Sequence, residues 1–306
     1  MMRAVRKGAF GLAAGLLAAA SASAEPYYLI VAGLGGEPRF EERFAEQAGK
    51  LAEAARRTTG NSDQVMLLQG PEATRDNVTA AFGKLAATLR STDSLIVFLI
   101  GHGSFDGDEY KLNLPGPDIT GKALGELLAG VPAGAQLVMN ATSASGAVLE
   151  PWTADGRTVI TATRSGAERT ATRFAEHWIA ALSSSEADLD KNGSISAQEA
   201  FDYASRSVAD SYESEGTLAT EHPRIAGDNA ARVTVARLGA RPTQTPELAA
   251  LSARMAEIED ELEALRLRRD EIDSETYLNE LQALLLQLAN VQRQIDEAEA
   301  ALTAPE

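Results

Sequence analysis

Apolar residues between positions 27 and 236 follow two alternating rhythms. Short β-rich runs, YYLIVA (27–32), VMLL (65–68), LIVFLI (95–100), QLVM (136–139), TVITA (158–162) and VTVA (233–236), predict strands. Between them, stretches such as 40–57, 76–90 and 168–182 carry apolar residues every three or four positions and predict helices. Each is long enough to cross over between parallel strands. The run Leu95–Ile100 has no polar face, which marks a central strand covered by helices on both sides. The expected class is therefore α/β: a mainly parallel sheet flanked by helices, with ligands beyond the carboxyl ends of its strands.

A different rhythm takes over after the proline-marked linker 241–246. Leu248, Leu251, Met255, Ile258, Leu262 and Leu265 alternate spacings of three and four, and Tyr277, Leu281, Leu284, Leu288, Val291, Ile295 and Ala298 repeat the pattern. Asp273-Ser274 between them supplies oxygens that can cap a new helix. The prediction is an antiparallel coiled-coil hairpin over 247–302. Leu278, Leu285 and Leu286 fall off its seam, leaving apolar surface for self-association, a protein partner or the globular domain.

The first 24 residues read as an address. Arg3, Arg6 and Lys7 precede the apolar run 9–20, and Ala22-Ser23-Ala24 ends it, the pattern of a secretory signal peptide cleaved near Ala24. That run is too short to span a bilayer, and no later one is long and uncharged enough, so no membrane span is expected. The resulting expectation is an exported chain, periplasmic or secreted, whose globular unit covers 25–240.

Charge and composition narrow the chemistry. Twenty-eight Lys and Arg stand against 44 Asp and Glu, a net charge of −16, and cleavage of the leader with its three cations leaves −19. Such acidity argues against nucleic acid as a partner and suits cations. The chain has no cysteine, which removes disulfides, thiolate metal sites and every cysteine-nucleophile mechanism.

Three loops follow strands directly. Gly33-Leu34-Gly35-Gly36-Glu37-Pro38 is glycine-rich but lacks a dinucleotide fingerprint and reads as a tight turn. Gly101-His102-Gly103 places an imidazole on a sharp turn, a geometry suited to a general acid or base. Asn140-Ala141-Thr142-Ser143-Ala144-Ser145-Gly146 is either a nucleophile loop or a polar turn. An α/β-hydrolase elbow would need glycines where Ala141 and Ser145 stand and a histidine downstream. His177 lies in a predicted helix, which leaves His222 to complete such a triad.

Taken together, Gly101-His102-Gly103 and Ser145-Gly146 resemble the caspase-like peptidases, in particular the legumain-like branch. The resemblance implies a caspase-like fold over about 27–240, His102 as the catalytic histidine, and Ser143 at the position of the nucleophilic cysteine, with Thr142 the candidate under a one-residue shift. The strand Ile160–Thr163 with Glu168 resembles the border of that family's specificity pocket. Ala141 replaces the acidic residue that the family places before its nucleophile. A serine hydroxyl needs a close base, unlike a thiolate, so the resemblance implies a non-catalytic pseudopeptidase acting as a binding or scaffold module. The alternative is an active hydrolase using Ser143 or Thr142 with His102.

Residues 188–199, DLDKNGSISAQE, match a twelve-residue EF-hand loop. Asp188, Asp190 and Asn192 stand at positions one, three and five, Gly193 at six and Glu199 at twelve. Ca²⁺ takes about seven oxygens, so alternate side chains turn inward and Glu199 closes the site from the next helix. Ser194 would give its carbonyl, and Ser196 would act directly or through water. Ile195 occupies the place that ordinarily pairs with a sister loop, of which the sequence has none. Ca²⁺ is thus the expected cofactor.

Overall fold

The computed structural model describes residues 25–239, 245–269 and 272–303. The signal-peptide expectation for 1–24 and most of the linker lie outside the described residues. In chain order the elements are β1 (Pro26–Ala32), α1 (Pro38–Thr59), β2 (Val65–Leu68), α2 (Arg75–Thr88), β3 (Ser94–Ile100), β4 (Gly103–Phe105), β5 (Tyr110–Leu112), β6 (Ile119–Thr120), α3 (Gly121–Ala129), β7 (Ala135–Asn140), α4 (Leu149–Trp152) and β8 (Arg157–Thr161). There follow α5 (Phe174–Ala181), β9 (Ser194–Ser196), α6 (Ala197–Ser214), β10 (Arg224–Ala226), β11 (Thr234–Arg237), α7 (Pro246–Leu267) and α8 (Ser274–Thr303).

The protein is α/β, with a mainly parallel sheet between helices. Six strands run in the order β10-β8-β7-β3-β1-β2, all neighbours parallel except β10 against β8. Leu95 through Ile100 of β3 are buried, and their alternate side chains feed two cores. Ile96, Phe98 and Ile100 pack with α1, α5 and α6, while Leu95, Val97 and Leu99 pack with α2, α3 and α4. Phe98 sits between the rings of Tyr28 and Trp178, each with its centroid 6.1 Å away.

Strand order reverses between β1 and β3: from β1 the chain builds outward to β2, then returns to the other side of β1. The crevice at such a switch point is where open α/β sheets bind ligands. Here it is bordered by the loops after β1 and β3, which lie together, since the Gly33 N–H donates to the Ile100 carbonyl at 2.8 Å. Gly101 has φ 141°, and a Cβ there would stand 3.2 Å from the Gly33 backbone, so a side chain would force the two loops apart. The β1 loop is closed by its own chain, because Glu41 Oε1 accepts the N–H groups of Gly35 and Gly36 at 2.8 and 3.1 Å.

Two departures from the sequence expectation concern strands. The run 233–236 does form a strand, β11, but it leaves the main sheet and pairs antiparallel with β9. Its place at the sheet edge is taken by Arg224–Ala226, whose three residues are too few to show a period. The stretch 168–182 becomes helical only from Phe174, because the carboxylate of Glu221 accepts the N–H groups of Arg173 and Phe174 at 2.7 and 3.2 Å and so starts the helix there.

α7 and α8 lie side by side and run in opposite directions. Arg254 reaches Gln287 and Arg268 reaches Glu280, and Ile258, Leu262, Val291 and Ile295 form a cluster of their own. Leu278, Leu285 and Leu286 are exposed at 60%, 49% and 63%. Because this cluster shares no member with the two cores of the sheet, a chain ending at residue 239 is expected to keep the cooperative urea transition of the α/β unit. Loss of that transition, followed by far-ultraviolet circular dichroism, would show that the sheet needs the helical pair.

Candidate functional site

Two groups of side chains gather polar and charged atoms. The first lies at the carboxyl ends of β3, β7 and β8. His102 follows β3, but its ring turns toward α1, where Phe40 and Phe44 meet it edge-on with centroids 4.7 and 5.2 Å away. The guanidinium of Arg43, one helical position from Phe44, lies over both phenyl rings. Burial first, and the Arg43 charge second, hold the imidazole below its ordinary pKa, against a Gly35 backbone hydrogen bond that favours the cation. Arg43 Nη2 donates to the Thr172 carbonyl at 3.5 Å, and the Thr172 hydroxyl donates to the Ala141 carbonyl, which ties this cluster to the loop after β7.

That loop is held by its own hydroxyls. Thr142 is fully buried, and Tyr110, Thr142 and Asn140 close a ring of hydrogen bonds: Tyr110 OH to Thr142 Oγ1 at 2.6 Å, Thr142 Oγ1 to Asn140 Oδ1 at 2.8 Å, and Asn140 Nδ2 to Tyr110 OH at 3.1 Å. Burial pushes the Tyr110 phenol up to about 12, so its proton stays in the ring. Ser145 pairs with Thr163 Oγ1 at 3.2 Å, and Ala144 takes the left-handed conformation, φ 56°. Ser143 is 2% exposed. The backbone of Gly103, next to His102, lies against this loop so closely that a Cβ would come 2.6 Å from Thr142 Oγ1. The structure thus brings His102, Thr142 and Ser143 to adjoining loops. Among the described residues, though, no hydrogen bond joins the His102 ring to either hydroxyl.

Glu168 and His222, 54 positions apart, form a pair in which Nδ1 lies 2.6 Å from Glu168 Oε1. Glu168 also binds Arg164 Nε at 2.9 Å, and its carbonyl accepts the Ala144 N–H at 2.7 Å, so the pair abuts the same loop. The sequence offered no spacing that would join them. His177 is on α5, where burial lowers its pKa.

The second group is the loop 188–199. Ligand atoms of Asp188, Asp190 and Glu199 all lie within 4.8 Å of one another. Lys191 and Gly193, with φ 60° and 76°, bend the chain between them. Asp188 accepts the N–H groups of Asn192 and Gly193 at 3.0 and 2.9 Å, and Glu199 accepts that of Leu189 at 2.9 Å. Ser196 caps α6 in a capping box with Glu199, its hydroxyl 2.7 Å from Oε2, so that hydroxyl is already engaged. Asn192 Oδ1 accepts from Ser194 N–H at 2.8 Å. Burial, reinforced by the charges of Glu199 and Asp188, raises the Asp190 pKa. Three hard oxygen donors that repel one another in this way fit a divalent cation. The strand within the loop, β9, pairs antiparallel with β11 in register Ile195↔Ala236.

No family model matches the chain, and no curated protein matches it. Among solved structures, the crystal structure of protein GSU0716 from Geobacter sulfurreducens is similar, with a TM-score of 0.45 and 15% sequence identity over 71% of this chain and 99% of that one.

The environment of His102 sets a pH dependence. Its folded pKa lies below the free value of about 6.5, so between the two the unfolded chain binds more protons. Its contribution to stability is full above about pH 6.5 and is lost as pH falls toward the folded pKa. Relative to His102→Phe, the wild-type melting temperature is expected to drop as pH is lowered below about 6.5. Parallel profiles for the two proteins would refute this role.

Proposed function

We propose that this is an exported calcium-binding protein with a caspase- and legumain-like α/β domain, one EF-hand loop and a C-terminal coiled-coil hairpin, and that it works as a pseudopeptidase binding or scaffold module. The observation that carries the reading is the convergence of Asp188, Asp190 and Glu199 within 4.8 Å on a twelve-residue spacing. Asp188, Asp190, Asn192 and Glu199 would hold Ca²⁺ with side-chain oxygens and Ser194 with its carbonyl, while Ser196 would act through water. Bound calcium supplies charge that lets three carboxylates share one small volume. A hand of this kind, without a second, binds on the order of 10⁻⁵ to 10⁻³ M, which suits a structural role outside the cytoplasm.

Calcium is therefore expected to raise the melting temperature, and Glu199→Gln to abolish the rise, because a ligand specific to the folded state stabilises it by RT ln(1 + [L]/Kd). At one hundred times Kd that is about 2.7 kcal/mol. Identical melting curves in calcium and in chelator would remove the metal from the account.

The absence of peptidase activity rests on three features: no cysteine is present, the Thr142 hydroxyl is spent on Asn140 and Tyr110, and Ser143 has no hydrogen bond to His102. Peptide turnover is expected at background and unchanged by Ser143→Ala. The hydrolase reading keeps one supporting fact, the placement of His102 and Ser143 on adjoining strand-end loops. Fluorophosphonate labelling of Ser143 that disappears in His102→Ala would establish that reading instead. The exposed Leu278, Leu285 and Leu286 make the hairpin the surface for a protein partner or a second copy.

A further inference from the structure

A cleft of about 600 Å³ opens between α3 and α4, on the opposite side of the sheet from the carboxylate loop. Its floor is apolar and fixed. Trp152 is 1% exposed, its indole N–H donates to the Gly121 carbonyl at 2.8 Å, and Tyr110 meets it edge-on with centroids 6.1 Å apart. Gly125 lies on the same indole, where a Cβ would stand 3.2 Å from the ring, so bare backbone of α3 forms one wall. Ala147 and Pro151 form the other. The volume is that of a ligand site, and the α3 wall from Gly121 to Ala129 runs about 12 Å, the reach of three or four extended residues.

Polar atoms of the floor are already taken, the Trp152 N–H by Gly121 and the Tyr110 hydroxyl by Thr142. A polar small molecule would find no partner there. The rim is the reverse: Asp108, Glu109 and Glu126 face one cation, Lys122, and among the described residues none of the four is in an ion pair. Nearby Asp106, by contrast, has Lys111 at 3.8 Å. An apolar slot bordered by three unpaired carboxylates and one ammonium selects a large apolar side chain with cations beside it.

We propose that this cleft binds an extended peptide segment in which a large apolar residue is flanked by lysine or arginine. The site depends on neither the calcium reading nor the peptidase resemblance. Fluorescence polarisation on the mature protein tests it with three labelled hexapeptides: Ser-Lys-Phe-Arg-Ser-Gly, its charge-inverted form Ser-Glu-Phe-Asp-Ser-Gly, and Ser-Lys-Ala-Arg-Ser-Gly. The first is expected to bind about tenfold tighter than either other, and less tightly as salt rises. Glu109→Lys combined with Glu126→Lys, both surface changes, should erase the preference for the cationic probe. Ala147→Trp should weaken the Phe probe by filling the slot. Equal binding of the Phe and Ala probes would mean a diffuse acidic surface and overturn the proposal. So would a cationic preference that survives both lysine substitutions, or no binding of any probe up to about 1 mM.

Discussion

Everything in the α/β unit depends on β3 having no polar side. A strand with six consecutive apolar residues, Leu95–Ile100, on both of its faces can be stable only if both faces are covered, and parallel crossovers are the means of covering them. Phe98 and Ile96 hold one layer of helices, Leu95 and Val97 the other. Once β1, β3, β7 and β8 are parallel, their carboxyl ends face one way, and the loops after them are forced into a single crevice. The gathering of His102, Thr142, Ser143, Glu168 and His222 at one end of the sheet is a consequence of that burial rather than an independent design.

Within the crevice, order is obtained by using up reactive groups. Tyr110, Asn140 and Thr142 satisfy one another in a buried ring, which is the condition for keeping three polar side chains in a low-dielectric interior. A hydroxyl locked this way cannot also give its proton to a base. His102 is likewise packed: its imidazole meets two phenyl rings edge-on, and burial together with the nearby guanidinium lowers its pKa. The polar atoms of these loops are held by one another and by the rings packed around them.

Which parts were legible follows from the range of the forces involved. The five parallel strands of the main sheet were visible because their burial is encoded by consecutive residues, and the two C-terminal helices because their facing seams repeat at three and four. The spacing of Asp188, Asp190 and Glu199 was legible for the same reason: the twelve residues close on themselves, so local sequence suffices to place the carboxylates. What escaped is non-local. β10 is too short for a period, the partner of β9 lies some forty residues downstream, and Glu168 meets His222 only because the chain returns antiparallel beside β8. Glu221 starting α5 from across the loop moved a helix boundary that side-chain spacing alone put six residues too early.

The pairing of β9 with β11 alters the physics of the carboxylate loop. An isolated loop would pay conformational entropy to gather three like charges, and repulsion among them would favour an open form. Here Ile195 is fully buried, β9 is bonded to β11, and the Tyr28 hydroxyl donates to the Val235 carbonyl at 3.2 Å, which fixes β11 to the main sheet. Folding of the core thus holds one half of the loop in place, and the capping box of Ser196 and Glu199 holds the start of α6 that carries the closing carboxylate. The cost of bringing Asp188, Asp190 and Glu199 together falls on the fold as a whole, so a cation entering the site would have less ordering left to do than in a free loop. The same coupling runs the other way: whatever relieves the repulsion at Asp190 stabilises the β9–β11 pair and, through Tyr28, the first strand of the sheet.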